Sequence, residues 1–225
     1  MFRPEIKLLD CSIRDGGLIN KWNFSDALVR STYKALTEAG VDYMEIGYKA
    51  TKSQFNPKEF GKWRFCDEDD VKKVIDGIDS DMKLACMVDI GRVDEKDILP
   101  VNESVFDMIR VASYIKDVDK AILLANHIQD KGYEVCVNLM AVSTNLEKDI
   151  DEALIELNET TIPYVYVVDS YGSMYCEDVS FLMKKYHDVI LELKALLGAS
   201  ISRIHFNNYL FFWILDKKRC AFFPE

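Results

Sequence analysis

One pattern restricts this chain of 225 residues more than any other: a short apolar run, a polar or glycine-bearing exit, and a helical stretch, repeated about seven times. Predicted strands begin near residues 6, 41, 82, 107, 134, 164 and 202. Their mean spacing, about 33 residues, is the scale of one βα unit of a (β/α)₈ barrel. Right-handed crossovers then place every strand exit on one rim. The predicted fold is an α/β barrel of the TIM (β/α)₈ type, incomplete, with about seven βα units. The competing fold is a doubly wound open sheet. It is disfavoured because no strand exit carries a Gly-x-Gly-x-x-Gly fingerprint or a P-loop.

Taken in order, Leu8 and Leu9 read as the end of a buried first strand. If its period of two continues, Asp10, Ser12 and Arg14 share one side, with Asp15 at the carboxyl end. Ser25 is suited to cap a helix running to about Ala39 and ended by Gly40, with Leu28, Val29, Tyr33 and Leu36 recurring on one face. The second strand, 41–48, surrounds a single acid, Glu45, with apolar residues, and a carboxylate so placed needs a partner. A long polar and aromatic loop over 49–65 follows, of the kind that often carries function. A helix is predicted over 67–76, a continuously apolar third strand over 83–89, and a loop with at most one short helical turn over 92–103. The fourth strand, 108–111, has Arg110 embedded in it. A helix over 117–130 places His127 near its end, where solvent and the helix dipole suffice to account for it. Strand five is predicted over 133–143 with Asn138 inside it, a helix over 146–157, strand six over 164–173, and a long helix over 177–197 carrying His187 as a structural residue. Strand seven, over 202–208, puts His205 and Asn207 on one side. One rim therefore gathers Asp15, Glu45, Asp89, Asn138, Asp169, Ser170, His205 and Asn207.

Composition narrows the function. With 49% hydrophobic residues the chain can bury a large core, and a net charge of -10 argues against nucleic acid or an anionic membrane surface as partner. Six cysteines, at 11, 66, 86, 136, 176 and 220, form no C-x-x-C pair, so neither a zinc knuckle nor a disulfide framework is indicated. No apolar run approaches membrane-spanning length, and the opening MFRPEIKLLD lacks a signal peptide's apolar region; a cytoplasmic location fits best. The chemistry centres on Leu8 to Gly17, LLDCSIRDGG. A carboxylate beside a guanidinium at a strand's end can hold a hard divalent cation and a substrate oxyanion together. The plainer reading is an Asp-Gly turn neutralised by its neighbouring arginine.

The motif DCSIRDGG resembles the D-x-[ST]-x-R-D-G opening of the metal-dependent carbon–carbon lyase barrels. That superfamily contains hydroxymethylglutaryl-CoA lyase, isopropylmalate synthase, homocitrate synthase and 4-hydroxy-2-oxovalerate aldolase. MEIGY, VNLM, VVDSYGSM and IHFNN resemble, in the same order, its second, fifth, sixth and seventh strands. The resemblance extends to Asn208 and is most similar to the 4-hydroxy-2-oxovalerate aldolase branch. It implies a divalent metal, Mg²⁺ or Mn²⁺, held by Asp15, His205 and the position of Asn207, where the family has a second histidine. It implies that Arg14 stabilises an enolate, that Glu45 orients Arg14 or a metal-bound water, and that Ser170 hydrogen-bonds the substrate carboxylate or carbonyl. The expected activity is a divalent-metal-dependent aldolase or lyase acting next to a 2-oxo acid.

Besides Asn207, two further departures stand out. The aldolases carry a proton-transferring histidine where this chain has Leu18, so Tyr48, Lys49 or a water has to substitute. Beyond Asn208 the sequence YLFFWILDKKRCAFFPE is too short for an eighth βα unit. Residues 1–208 then read as a catalytic barrel lacking its eighth unit and 209–225 as an atypical tail. A truncated or frame-shifted product is one explanation, and a homo-oligomer covering the open barrel edge is another. A catalytically silent barrel that binds a ligand or serves as a scaffold is the alternative function. A nucleotide-dependent sugar enzyme is weaker, since no glycine-rich phosphate loop appears.

Overall fold

The computed structural model describes residues 7–189, 196–199 and 211–212. Its elements alternate as the periodicity predicts. They are β1 (Lys7–Asp10), α1 (Ser12–Asn20), α2 (Asp26–Glu38), β2 (Tyr43–Tyr48), α3 (Glu68–Ile75), β3 (Lys83–Asp89), β4 (Met108–Tyr114), α4 (Val118–Asp130), β5 (Glu134–Met140), α5 (Glu147–Asn158), β6 (Tyr164–Val167), α6 (Cys176–Val189), β7 (Leu196–Ala199) and β8 (Phe211–Phe212). The strands form one sheet in the order β6-β5-β4-β3-β2-β1-β7-β8.

Strands β1 to β6 are all parallel, and each pairs with the next in sequence. A doubly wound sheet reverses its strand order near its middle, whereas β1 to β6 advance in a single direction and only β7 returns to the free edge of β1. Burial shows the consequence. Val29 and Tyr33 of α2, Val71 and Val74 of α3, Leu124 and Ile128 of α4 and Leu154 of α5 pack with Met44, Ile46, Val88, Val111 and Val137 of the strands in one large cluster. The opposite face holds a smaller cluster drawn from the strands and their exits: Leu9, Cys11, Tyr43, Ala85, Met108, Cys136, Tyr166 and Val168. Six parallel strands with helices on one side thus curl into half of a TIM-type barrel, and the smaller cluster lines its interior. Each large side chain so buried contributes about 1.5–3 kcal/mol.

Local chemistry accounts for the boundaries. Ser25 caps α2, its Oγ accepting the Leu28 N–H at 3.2 Å, and Gly40 follows with φ +72°. The loop over 92–103 contains two single helical turns, at Glu95–Asp97 and Val101–Glu103. Along β2 the pairing with β3 shifts between Glu45 and Gly47, a bulge that re-aims the strand's end. A Cβ on Gly47 would lie 2.0 Å from the Trp63 carbonyl oxygen, so glycine there lets the 62–64 turn lie directly on the strand.

Several expectations need correction. Ser12 and Arg14 do not continue the first strand: Asp10 accepts the Ser12 N–H at 3.0 Å and its hydroxyl at 2.8 Å, which turns the chain into α1. Leu28 faces outward, half exposed. Strand β6 stops at Val167 rather than running to 173, because Asp169 accepts the Met174 N–H at 2.8 Å and closes a turn containing Gly172. The long helix does not run to 197. Leu196–Ala199 is instead a strand, parallel to β1 on its free edge and antiparallel to β8. The predicted strand over 202–208, with His205 and Asn207, lies outside the described residues, as does the boundary proposed at 208.

Candidate active site at the carboxyl ends of the strands

The interior of the half barrel carries charge in its centre. Glu45, on β2, is wholly inaccessible, and Arg14, Asp15 and Arg110 are each at least nine-tenths buried. Glu45 Oε2 accepts from Arg14 Nε at 2.6 Å and from Arg110 Nη1 at 2.7 Å. Arg14 Nη1 also donates to Asp15 Oδ1. Two guanidiniums and two carboxylates therefore neutralise one another, which is what makes such a cluster tolerable away from water.

The turn at Asp10 makes this arrangement possible. Because α1 begins at Ser12, Arg14 and Asp15 fall in its first turn and point back over the strand ends instead of continuing along β1. The turn is locked from its far side: Trp22 Nε1 donates to the Arg14 carbonyl at 2.8 Å. Gly17 gives the indole its room, since a Cβ there would sit 2.0 Å from Trp22 Cδ1. On the other flank the Arg110 guanidinium lies 4.0 Å from the centroid of the Tyr166 ring. Burial alone would favour loss of the Arg14 charge, but Glu45 and Asp15 more than offset it and hold the guanidinium charged. Burial pushes the Cys11 thiol up to about 12, so it is no thiolate nucleophile at neutral pH.

A second cluster adjoins the first along the rim. The Arg64 guanidinium is boxed by aromatic rings, 4.2 Å from the centroids of Tyr48 and Phe55 and 4.6 Å from that of Trp22. Its Nη2 lies 3.7 Å from Asp89, whose other partner is Arg92 at 3.4 Å. The Tyr48 ring joins the clusters, with the Arg14 guanidinium 6.0 Å from its centroid. Farther round, the Ser170 Oγ accepts the Ala141 N–H at 2.8 Å, an arrangement that leaves its hydroxyl proton to donate elsewhere. Asn138 is buried on β5, its amide oxygen without a hydrogen-bond partner.

Of the residues expected to act together, the structure thus joins Arg14, Asp15 and Glu45 and sets Ser170 at the same rim. The other two expected metal ligands, His205 and Asn207, lie outside the described residues. Among the described residues, no three His, Cys, Asp or Glu side chains converge into a metal-binding group. Arg110 was the residue that sequence reasoning passed over. Its signal was present: Glu45 and Arg110 are single charges of opposite sign, each embedded in an apolar strand, and each needed a partner that the other supplied.

Comparison with known proteins agrees with the opening motif. No family model matches the chain. A 4-hydroxy-2-oxovalerate aldolase of Bacillus cereus (strain ATCC 10987 / NRS 248) is 27% identical over 193 residues, covering 79% of this chain and 51% of the relative. The N-terminal domain of a candidate aldolase from Bacteroides vulgatus superimposes with a TM-score of 0.65 at 25% identity, over 87% of this chain and 73% of that one. The HMG-CoA lyase of Bacillus subtilis shares the fold, with a TM-score of 0.51 at 14% identity over 89% of this chain and 78% of that one. The chain spans about half the length of the curated relatives it matches.

Proposed function

We propose that this chain, a relative of the 4-hydroxy-2-oxovalerate aldolases built on the HMG-CoA-lyase-like barrel, makes or breaks a carbon–carbon bond next to a 2-oxo acid. The reacting unit is a pyruvate-like enolate. The observation that carries this reading is the buried Asp15–Arg14–Glu45–Arg110 network on the rim where barrel enzymes build their sites.

Negative charge develops on the 2-oxygen as the carbon–carbon bond breaks. Arg14 is fixed to meet it: Glu45 holds its Nε and Asp15 its Nη1, which leaves N–H donors of the guanidinium for an oxyanion. Because Glu45 and Arg110 hold that geometry beforehand, little reorganisation is needed at the moment of reaction. Ser170, its oxygen already satisfied by Ala141, directs its hydroxyl proton to the substrate carboxylate or carbonyl. A divalent cation, Mg²⁺ or Mn²⁺, supplies polarisation of the 2-oxo group when bound. Asp15 is a suitable hard oxygen donor for it, with His205 and Asn207 as the further ligands.

The test is a screen of 4-hydroxy-2-oxo acids for released pyruvate with Mn²⁺ or Mg²⁺, paired with Mn²⁺ titration followed by electron paramagnetic resonance. Metal-dependent release, and weaker Mn²⁺ binding in Asp15→Asn, are the expected results. A chain that binds neither Mn²⁺ nor pyruvate contradicts the reading. The alternative, a silent ligand-binding or scaffold barrel, draws on Leu18, whose exposed hydrocarbon side chain replaces a proton carrier. Pyruvate release rejects it.

A further inference from the structure

We propose that the carboxyl of Asp89, at the end of β3, carries the proton in this reaction, the role for which Leu18 is chemically unfit. The proposal rests on the lyase reading above and assigns the residue that reading lacks.

The structure sorts the candidates. Lys49 is committed elsewhere: its ammonium donates to Glu68 at 2.9 Å and to the Cys66 carbonyl at 3.4 Å, and it lies over the Phe106 ring. Glu68 is in turn held by the Ser104 hydroxyl at 3.0 Å and the Val105 N–H at 2.8 Å. That pair belongs to the packing of α3 against the strands and not to the barrel interior. Tyr48 faces the right way, but burial holds its phenol protonated, so it is no base. Asp169 has one oxygen bound into its own turn and the other buried away from solvent.

Asp89 meets the remaining requirements. Tyr48 pairs with Met87 across the β2–β3 ladder, which places Asp89 two residues further toward the same rim. Its side chain retains 14% exposure, so protons can enter and leave, whereas Glu45 is sealed. The charged and titratable groups facing it are Arg64 from the turn before α3, Arg92 from its own exit, Arg14 from α1 and Tyr48 from β2, while its ladder partner on β4 is the uncharged Ala112. Burial raises its proton affinity and the three guanidiniums pull it back, a balance that suits a group required to both take and return a proton.

In the cleavage direction the carboxylate removes the C4 hydroxyl proton. The C4–O electron pair becomes a carbonyl, the C3–C4 bond breaks, and its electrons form the C2–C3 enolate with charge on the 2-oxygen opposite Arg14. The carboxylic acid then delivers its proton to C3. Pyruvate and an aldehyde leave, and the carboxylate is restored.

Exchange of the pyruvate methyl protons with D₂O, followed by proton NMR on the full chain with Mg²⁺, isolates the proton step. Asp89→Asn should lower exchange about 100-fold or more while the pyruvate concentration for half-saturation holds, and Asp89→Glu should recover part of it. Arg92→Gln removes an exposed cation beside the base; it should move the acid limb of the exchange–pH profile upward and leave the plateau intact. A merely structural Asp89 would lose the plateau and leave the limb in place. Exchange retained in Asp89→Asn, or a limb unmoved in Arg92→Gln, overturns this assignment alone. A native chain that neither binds pyruvate nor exchanges its protons overturns it together with the lyase reading.

Discussion

Glu45→Gln tests the charge balance of the barrel interior with almost no change of shape. Both guanidiniums converge on Oε2, and Oε1 has no hydrogen-bond partner. A glutamine can therefore put its carbonyl oxygen where Oε2 stands and its amide where nothing is bonded. Both hydrogen bonds survive, the charge is lost, and the amide N–H donors are left buried without acceptors. Two buried guanidiniums then share a single carboxylate, Asp15. Removing one partner of a buried ion pair costs about 3–5 kcal/mol. For a domain of this size each kcal/mol lowers the melting temperature by about 2–4 °C, so the drop should be about 6–20 °C in scanning calorimetry. The double variant Glu45→Gln/Arg110→Met removes the surplus cation and should regain about 1–3 kcal/mol over the single variant. A loss below about 1 kcal/mol in Glu45→Gln would show that Asp15 alone balances both guanidiniums, and the reasoning about this network would fail.

Other perturbations probe the elements that place the site. Gly17→Ala drives a methyl into the Trp22 indole and should cost about 1–3 kcal/mol, with a shift in tryptophan emission reporting the displaced ring. Glu68→Ala strands the buried Lys49 ammonium and the Val105 N–H; urea unfolding should show a loss of about 2–4 kcal/mol. Burial raises the folded-state pKa of Asp89 above its unfolded value, so folding takes up protons between the two. Its contribution to stability is therefore fully present below the unfolded value and is lost as pH rises through the folded one. Asp89→Asn should accordingly match or exceed the native melting temperature at neutral pH while losing proton exchange; a clear drop would indicate a stabilising ion pair instead.

The repeating strands and helices were legible because apolar periodicity is a local property. Boundaries were missed wherever a side chain competed with the ladder. Asp10 captured the Ser12 N–H, and Asp169 captured that of Met174; in both places a predicted strand ended early. The first of these errors bears on function. Read as a strand, residues 12–14 share a side with Asp10 and aim Arg14 by alternation alone. Folded as the first turn of α1, they swing Arg14 across to Glu45 on the neighbouring strand, and through that carboxylate to Arg110 on β4. Glu45's need for a partner was visible from its apolar surroundings, but which residues answered it depended on strand order and on the bulge beside Gly47. Neither is written in a local pattern. The aromatic box around Arg64 was hidden for the same reason, since Trp22, Tyr48 and Phe55 come from three separate segments. A site assembled across strands is thus announced in sequence by its unmet charges, each a demand for a partner, and only the topology decides which charge satisfies which.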